Sequence, residues 1–299
     1  MLDISLVGMP LYTLVKNHGM GTAVQSLRDL GIVRALNERM DQVRDFGDVT
    51  LPSLTKDEGP SNLRNYNYFL TCTDAIFDVS RKLLEEEGMI FNLGGECALI
   101  LGSAAGLKQH LSDKLGLLWI DAHGDFNTPE TTRSGYVGGM PLAFVCGRGP
   151  RFSPEIEKLR PIIHENAVVH LGGRDFDPLE SDAIRSSEIR LYSPSEFREN
   201  GVDKMAAEMA GFLADRSDWL ICHLDLDAID PSIMPAVNYP SSKGLTLAEI
   251  HAAVRAITQT GKLRAFNLAA YNSAIDKGGV CAKVILDLVS GFSLAHVLQ

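Results

Sequence analysis

The feature that most constrains how this chain folds is a rhythm. Short, nearly continuous apolar runs alternate with longer helix-like segments. The runs are 3–8 (DISLVG), 88–93 (GMIFNL), 116–121 (GLLWID), 167–172 (AVVHLG), 189–192 (IRLY), 219–225 (WLICHLD) and 263–270 (LRAFNLAA). The helix-like segments lie at roughly 20–40, 62–87, 97–112, 154–160, 178–187, 201–215, 246–260 and 276–292. A strand that is apolar on both faces must be covered on both faces, and crossover helices on a parallel sheet supply that cover. The segment 246–260 carries its own start signal, because Thr246 can cap it with Glu249 three residues on. No repeat, low-complexity tract or linker divides the chain, so residues 1–299 read as one α/β domain. Ligands of such a domain belong outside the carboxyl ends of the strands.

Three of those ends carry chemistry. DAHGD (121–125) follows one apolar run, HLDLDAIDP (223–231) contains the end of another, and NLGGECALI (92–100) ends a third and opens a helix. In extended chain, residues i and i+2 face the same way, which would aim Asp225 with Asp227 and Asp121 with His123. Four carboxylates and an imidazole around one crevice repel without cations. Carboxylates suit hard divalent ions and imidazole suits transition metals, so the mixture favours manganese or a relative. Two neighbouring ions of this kind make hydroxide near neutral pH. Any one of these acids alone would read as a solvated loop residue or a helix cap. Together, after apolar strands, they read as a metal site.

DAHGDFNTPETTRSG (121–135) and HLDLDAIDPSIMP (223–235) resemble signature stretches of the ureohydrolase family, which includes arginases, agmatinases and formiminoglutamases. The resemblance extends to ISLVGMP (4–10), GDV (47–49), GGECALILGSAAGL (94–107) and LGGRDFDPLE (171–180). It implies a three-layer α/β/α sandwich with a mainly parallel eight-stranded sheet, and two manganese ions that serve hydrolysis of a guanidinium or amidine C–N bond. By position, Asp121 and Asp225 would bridge the ions. Asp125 and Cys97 would complete one site, His123 and Asp227 the other. Asn127, Ser134, Asp177 and Glu180 match positions that hold the α-carboxylate and α-amino groups of an amino-acid substrate, and Tyr136 stands where that set usually has Asn. The resemblance also implies a homo-oligomer, trimeric or hexameric.

The chain departs from the family at the reacting end. Cys97 replaces a His ligand, and it reads either as a thiolate ligand or as a small buried packing residue. A minority branch of the family carries Cys here, and the chain is similar to that branch, the hydroxyarginine hydrolase of D-cycloserine biosynthesis. Gly138 stands where the family has its proton-shuttling His. Ala270 stands in place of the Glu that pairs with a guanidinium, and Tyr239 in place of a nearby Thr. His223, two residues before Asp225, is open to several readings: a metal contact, a partner of a ligand carboxylate, a proton shuttle, or a core imidazole. With Asp125 as the residue that orients the attacking hydroxide, His223 is the other catalytic candidate. Unmodified arginine fits such a pocket poorly, because a buried guanidinium without its carboxylate loses a charge-assisted pair.

Composition narrows the partners. The formal net charge of -10, with no basic stripe, argues against nucleic acid. No apolar run is long enough to span a bilayer, and MLDISLVGMP lacks the basic start of a secretory leader. Five scattered cysteines without a CxxC pattern suit a reducing cytoplasm. The expectation is a metal-dependent hydrolase acting on a linear C–N bond of a small guanidino or amidino amino compound. Its rival is a non-catalytic relative that binds such a compound or serves in a complex.

Overall fold

The computed structural model of the chain describes residues 3–38, 42–83 and 88–292. The strands are β1 (Asp3–Met9), β2 (Gln42–Asp48), β3 (Met89–Gly94), β4 (Leu115–Ile120), β5 (Val168–Leu171), β6 (Arg190–Tyr192), β7 (Trp219–Asp225) and β8 (Leu263–Ala269). They form one eight-stranded sheet in the order β2-β1-β3-β8-β7-β4-β5-β6, and every pairing is parallel. All seven apolar runs became strands. The eighth, β2, has the sequence QVRDFGD and was missed. It is an edge strand that pairs only with β1. An edge strand can carry charge, which also blunts unwanted pairing, so it lacks the apolar signature.

The helices are α1 (His18–Asp29), α2 (Ile32–Asn37), α3 (Tyr66–Leu83), α4 (Ile100–His110), α5 (Pro141–Val145), α6 (Pro154–Glu157), α7 (Pro178–Arg185), α8 (Pro194–Glu199), α9 (Val202–Ala214), α10 (Leu247–Thr258) and α11 (Val280–Ser290). The single helix expected at 20–40 is two. Gly31 sits at φ +100°, a left-handed conformation that ends α1 and redirects the chain into α2. Residues 39–40 and 84–87, read as helix from the sequence, lie outside the described residues. The expected cap of α10 is present: Glu249 Oε2 accepts from Thr246 N at 2.8 Å, and Thr246 Oγ1 accepts from Glu249 N at 3.3 Å. No helix among the described residues is long and apolar enough to cross a membrane.

Strand alternation splits the core between two faces. Leu118 and Ile120 of β4 join the cluster under α1, α2, α9, α10 and α11, while Leu117 and Trp119 join the cluster under α3, α4 and α5. All six residues of β3 and of β4 are buried. Full burial of each Leu, Ile, Met or Phe among them stabilises by about 1.5–3 kcal/mol. The polar exception inside them is Asn92 of β3, which donates through Nδ2 to Asn267 Oδ1 of β8 at 2.7 Å. The sheet order brings the ends of β3, β8, β7 and β4 side by side, and the chemistry collects there.

Candidate metal centre and its cavity

Two of the three motifs use the same local device. Asp121 follows β4, and its Oδ1 accepts from the backbone N–H of His123 at 2.7 Å. Asp225 ends β7, and its Oδ1 accepts from the N–H of Asp227 at 2.7 Å. An Asp that bonds the backbone two residues on makes a tight turn in place of more strand. Asp227 therefore sits in a 3-10 turn at 226–228, not on extended chain. The acids come together through these turns and not through strand alternation.

Cys97, Asp121 and Asp125 place one ligand atom each within 4.8 Å of one another, and Asp121, His123 and Asp227 do the same. Asp225 joins the first group, because its Oδ2 accepts from Cys97 Sγ at 2.7 Å. Asp121 Oδ2 accepts from the Trp119 indole at 3.1 Å. Asp125 has a left-handed backbone, φ +47°, and its carbonyl accepts from Leu142 and Ala143 at the start of α5. A non-glycine residue in this region costs about 1–3 kcal/mol, a strain that tends to collect at functional sites.

The electrostatics of these acids follow from burial. Burial, then the charge of Asp227, pushes Asp121 up to about 7, with His123 working against both. Asp125 and Asp225 are pushed well above the carboxylate range by burial and by neighbouring acids. Burial is the largest influence on Asp227 and acts against its ionisation, but the charge of His123, 3.1 Å away at Nδ1, and the surrounding hydrogen bonds together outweigh it and leave Asp227 below its ordinary value. Burial works against the His123 imidazolium, yet Asp227 and Asp121 raise it to about 12. Cys97 is driven well up by burial and by Asp225, Asp121 and Asp125. Acidic oxygens, an imidazole and a thiol compete for protons in a space a few ångströms across. This donor set suits divalent cations, with the oxygens favouring hard ions and the thiol softer ones.

The centre forms one wall of a cavity of about 290 Å³. The other expected site residues Asn127, Ser134, Tyr136, Asp177 and Glu180 line it, as do Gly138, Tyr239 and Ala270. Among the described residues no Lys or Arg lines it. Glu180 is committed to structure, since its oxygens accept from Phe126 N at 2.9 Å and Asp177 N at 3.0 Å. Asn127 Nδ2 donates to Asp177 Oδ2 at 3.4 Å.

Two expectations need correction. His223 does not line the cavity. It is fully buried, its ring stacked on Trp119 at 4.0 Å and 5°, with Nδ1 3.3 Å from the Asn267 amide and Nε2 unpartnered. Burial lowers it to about 3. Alternation does place it on the face of Asp225, but two residues deeper. A proton shuttle must reach the reacting group, so the catalytic role expected of His223 does not fit this position. Tyr136, expected with the amino-acid-binding set, turns its hydroxyl to Asn17, whose Nδ2 donates to it at 3.0 Å. Sequence reasoning also passed over two residues of the cavity. Glu96 was read only as the neighbour of Cys97. Asp175, in the stretch GGRDFDP after β5, has Oδ2 4.0 Å from His123 Nε2, and its position after a strand end was the available signal.

With that geometry in hand, comparison with known proteins is direct. The sequence profile described as the Arginase family matches residues 2–294. The chain is 30% identical to an arginase of Bacillus subtilis (strain 168) over 286 residues, 96% of each chain. Its fold superposes on the native arginase of Bacillus caldovelox with a TM-score of 0.90, at 29% identity and with 100% of both chains covered. A formimidoylglutamase of Bacillus subtilis shares the fold at a TM-score of 0.77 and 18% identity. By sequence along nearly its whole length, this chain is a member of the arginase family.

Proposed function

We propose that the chain is a metal-dependent hydrolase of a linear C–N bond in a guanidino or amidino amino compound, with a head group less basic than that of arginine. The observation that carries this reading is the convergence of two ligand groups, sharing Asp121, on the wall of one cavity. Asp121 and Asp225 would serve both of two ions, with Cys97 and Asp125 completing the ligand set of one and His123 and Asp227 that of the other. Such ions supply a water acidic enough to ionise near neutral pH and polarise the substrate carbon. The chain's own residues do the rest. The Trp119 indole and the His123 N–H fix both oxygens of Asp121. Asp125, held by α5, orients the attacking oxygen. Asn127, Ser134 and Asp177 receive the amino-acid end, with Glu180 pinning that loop in place. Manganese is the proposed metal, a homo-oligomer the proposed assembly and the cytoplasm the proposed compartment. The single sheet from Asp3 to Ala269 supports one arginase-like domain over residues 1–299. Cys97, with GDFNTPETT (124–132), GYVGGM (135–140) and the HLDLD strand end (223–227), favours the Cys-bearing branch of the family.

The second reading, a non-catalytic binder, draws on Gly138 and Ala270, which leave no shuttle and no guanidinium partner at the reacting end. One assay separates the two. Manganese-loaded protein is given L-arginine and its hydroxyguanidine analogue, and release of the urea-type product is measured. Turnover of the analogue with little or none of arginine supports the hydrolase. Arginine turnover at rates typical of enzymes, roughly 1–10³ per second, defeats the assignment of substrate. No release from any guanidino or amidino compound defeats the enzyme.

A further inference from the structure

Arg174 follows β5 in the stretch GGRDFDP and does not line the cavity, yet three segments that do are tied to it. Its own main chain is fixed first. The backbone N–H of Arg174 donates to Ala122 O at 2.9 Å, and that of Asp175 donates to the same oxygen at 3.1 Å. Ala122 lies between Asp121 and His123. The segment that carries Arg174 is thereby laid against the turn that carries two of the proposed ligands.

From that base the half-buried guanidinium reaches two further loops. Its Nη2 donates to the carbonyl of Asp227 at 2.9 Å and to that of Ser241 at 2.8 Å. Its Nε donates to Ser242 O at 3.0 Å, and its Nη1 to Gly172 O at 2.9 Å. A guanidinium has five N–H groups in a rigid fork, and here four of them meet main-chain carbonyls. The Asp227 carbonyl belongs to a proposed ligand. The carbonyls of Ser241 and Ser242 belong to the loop just after Tyr239. Tyr239 lines the cavity, with its ring at 84° to that of His123 and 6.3 Å away. On the other flank of Tyr239 the chain is held at Asn238, whose amide bonds to Asn17 at 2.9 Å and to Asn272 at 2.5 Å. Tyr239 is therefore anchored on both sides, and Arg174 supplies the anchor that also grips Asp227. An ammonium could not copy this, because its three donors share one atom and cannot span the four carbonyls.

Resting on the function proposed above, we infer that Arg174 is a positioning residue for the metal centre and the cavity wall together. Its guanidinium ties the main chain of Asp227 to the loop that carries Tyr239, and its backbone ties both to the turn of His123. One side chain thus sets the wall that meets a substrate in the same frame as the ion beside Asp227. Freeing that loop releases the ligand as well.

The test uses the full chain with manganese as the probe and no substrate. Arg174→Met removes every donor. Arg174→Lys keeps the charge and loses the fork, and it serves where Arg174→Met does not fold. Calorimetric titration reads the affinity for manganese. Trypsin reads the loop, because Lys243 is exposed at its end. In both variants one equivalent of manganese should bind roughly 10–100-fold more weakly, the usual cost of losing an outer partner of a ligand. The other equivalent should keep its affinity. Cleavage after Lys243 should quicken by about tenfold or more, as a segment that has lost its anchor opens more often. A variant with a generally weakened fold would instead be cut at many sites and lose both ions in step. That result would refute the inference, as would faster cleavage with both affinities unchanged. Arg174→Lys matching wild type in both measurements would refute it too, since the charge alone would then be enough. No turnover is measured, so failure of the hydrolase assay leaves this outcome standing. A wild type that takes up fewer than two manganese ions would refute the two-ion centre and this inference with it.

Discussion

The two ligand groups share Asp121 but balance charge in opposite ways. In the group of His123, an imidazolium lies 3.1 Å from Asp227 Oδ2 and 3.6 Å from Asp121 Oδ1. It supplies positive charge from within the protein, and Asp227 stays ionised beside it. In the group of Cys97, the charge of His123 reaches Asp125 only as a lesser influence, behind burial and the charge of Asp121. Protons do the work: the thiol keeps its own and donates it to Asp225, while Asp125 and Asp225 are pushed towards their neutral forms. One half of the centre is a nearly complete ion-pair network. The other is a set of buried acids that burial and one another push up from the ordinary carboxylate range. Metal binding must displace protons from both, and the two halves meet a cation with different donors: one sets an imidazole beside its carboxylates, the other a thiol.

Removing the residue common to both halves is the severest way to break this comparison. Asp121→Asn should cost the protein both ions and lower turnover by roughly 10³-fold or more, since the ions contribute several kcal/mol to the transition state. Elemental analysis of the purified variant, with turnover on the best available substrate, measures it. Retention of one full equivalent of metal would mean the halves are independent and that Asp121 does not bridge.

A narrower change separates the halves. If Cys97 is a ligand, Cys97→Ser should weaken one site by more than the roughly 10–100-fold that loss of a supporting partner costs, and leave the His123 site filled. Cys97→His should restore the site and shift its preference towards manganese, because imidazole suits that ion better than a thiolate does. Metal titrations of the wild type and both variants read this out. Identical stoichiometry and affinity in all three would leave Cys97 as a packing residue and the centre with one ion.

How much of this was legible in the sequence depends on what each residue had to satisfy. β4 and β7 announce themselves because both faces are buried, and the acids at their ends stand out against apolar runs. β2 is hidden because an edge strand has no such burden. The pairing of Asp225 with Asp227 was expected for the wrong reason, since strand periodicity cannot anticipate a side chain that bends its own backbone. His223 shows the limit most plainly: alternation gave the correct face, but depth along that face depends on Trp119, a neighbour on another strand. Tyr136 against Gly138, and Asn17 against Glu96, are contacts across 2 and 79 residues, with the second brought about by the fold and carried by no motif.

His223 also offers the finest test of how the shared ligand is supported. Its ring is stacked on Trp119, whose indole holds Asp121, so it supports the residue that both halves share. Burial lowers His223 from its ordinary 6.5 to about 3. Between those values the unfolded chain takes up a proton that the folded protein refuses. The stability this residue supports is therefore complete above pH 6.5 and is lost as pH falls towards 3. His223→Asn removes that dependence, and every other titrating group is common to both proteins and cancels in the difference. Denaturant unfolding of metal-free wild type and variant, at pH 7 and at pH 4.5, gives the comparison. The variant starts less stable at pH 7, because a flat ring stacked on Trp119 has been lost. On acidification, wild type should lose on the order of 2 kcal/mol more than the variant. Equal losses would mean that His223 is protonated in the folded state, and that its Nε2 has a partner which the stacking on Trp119 does not reveal.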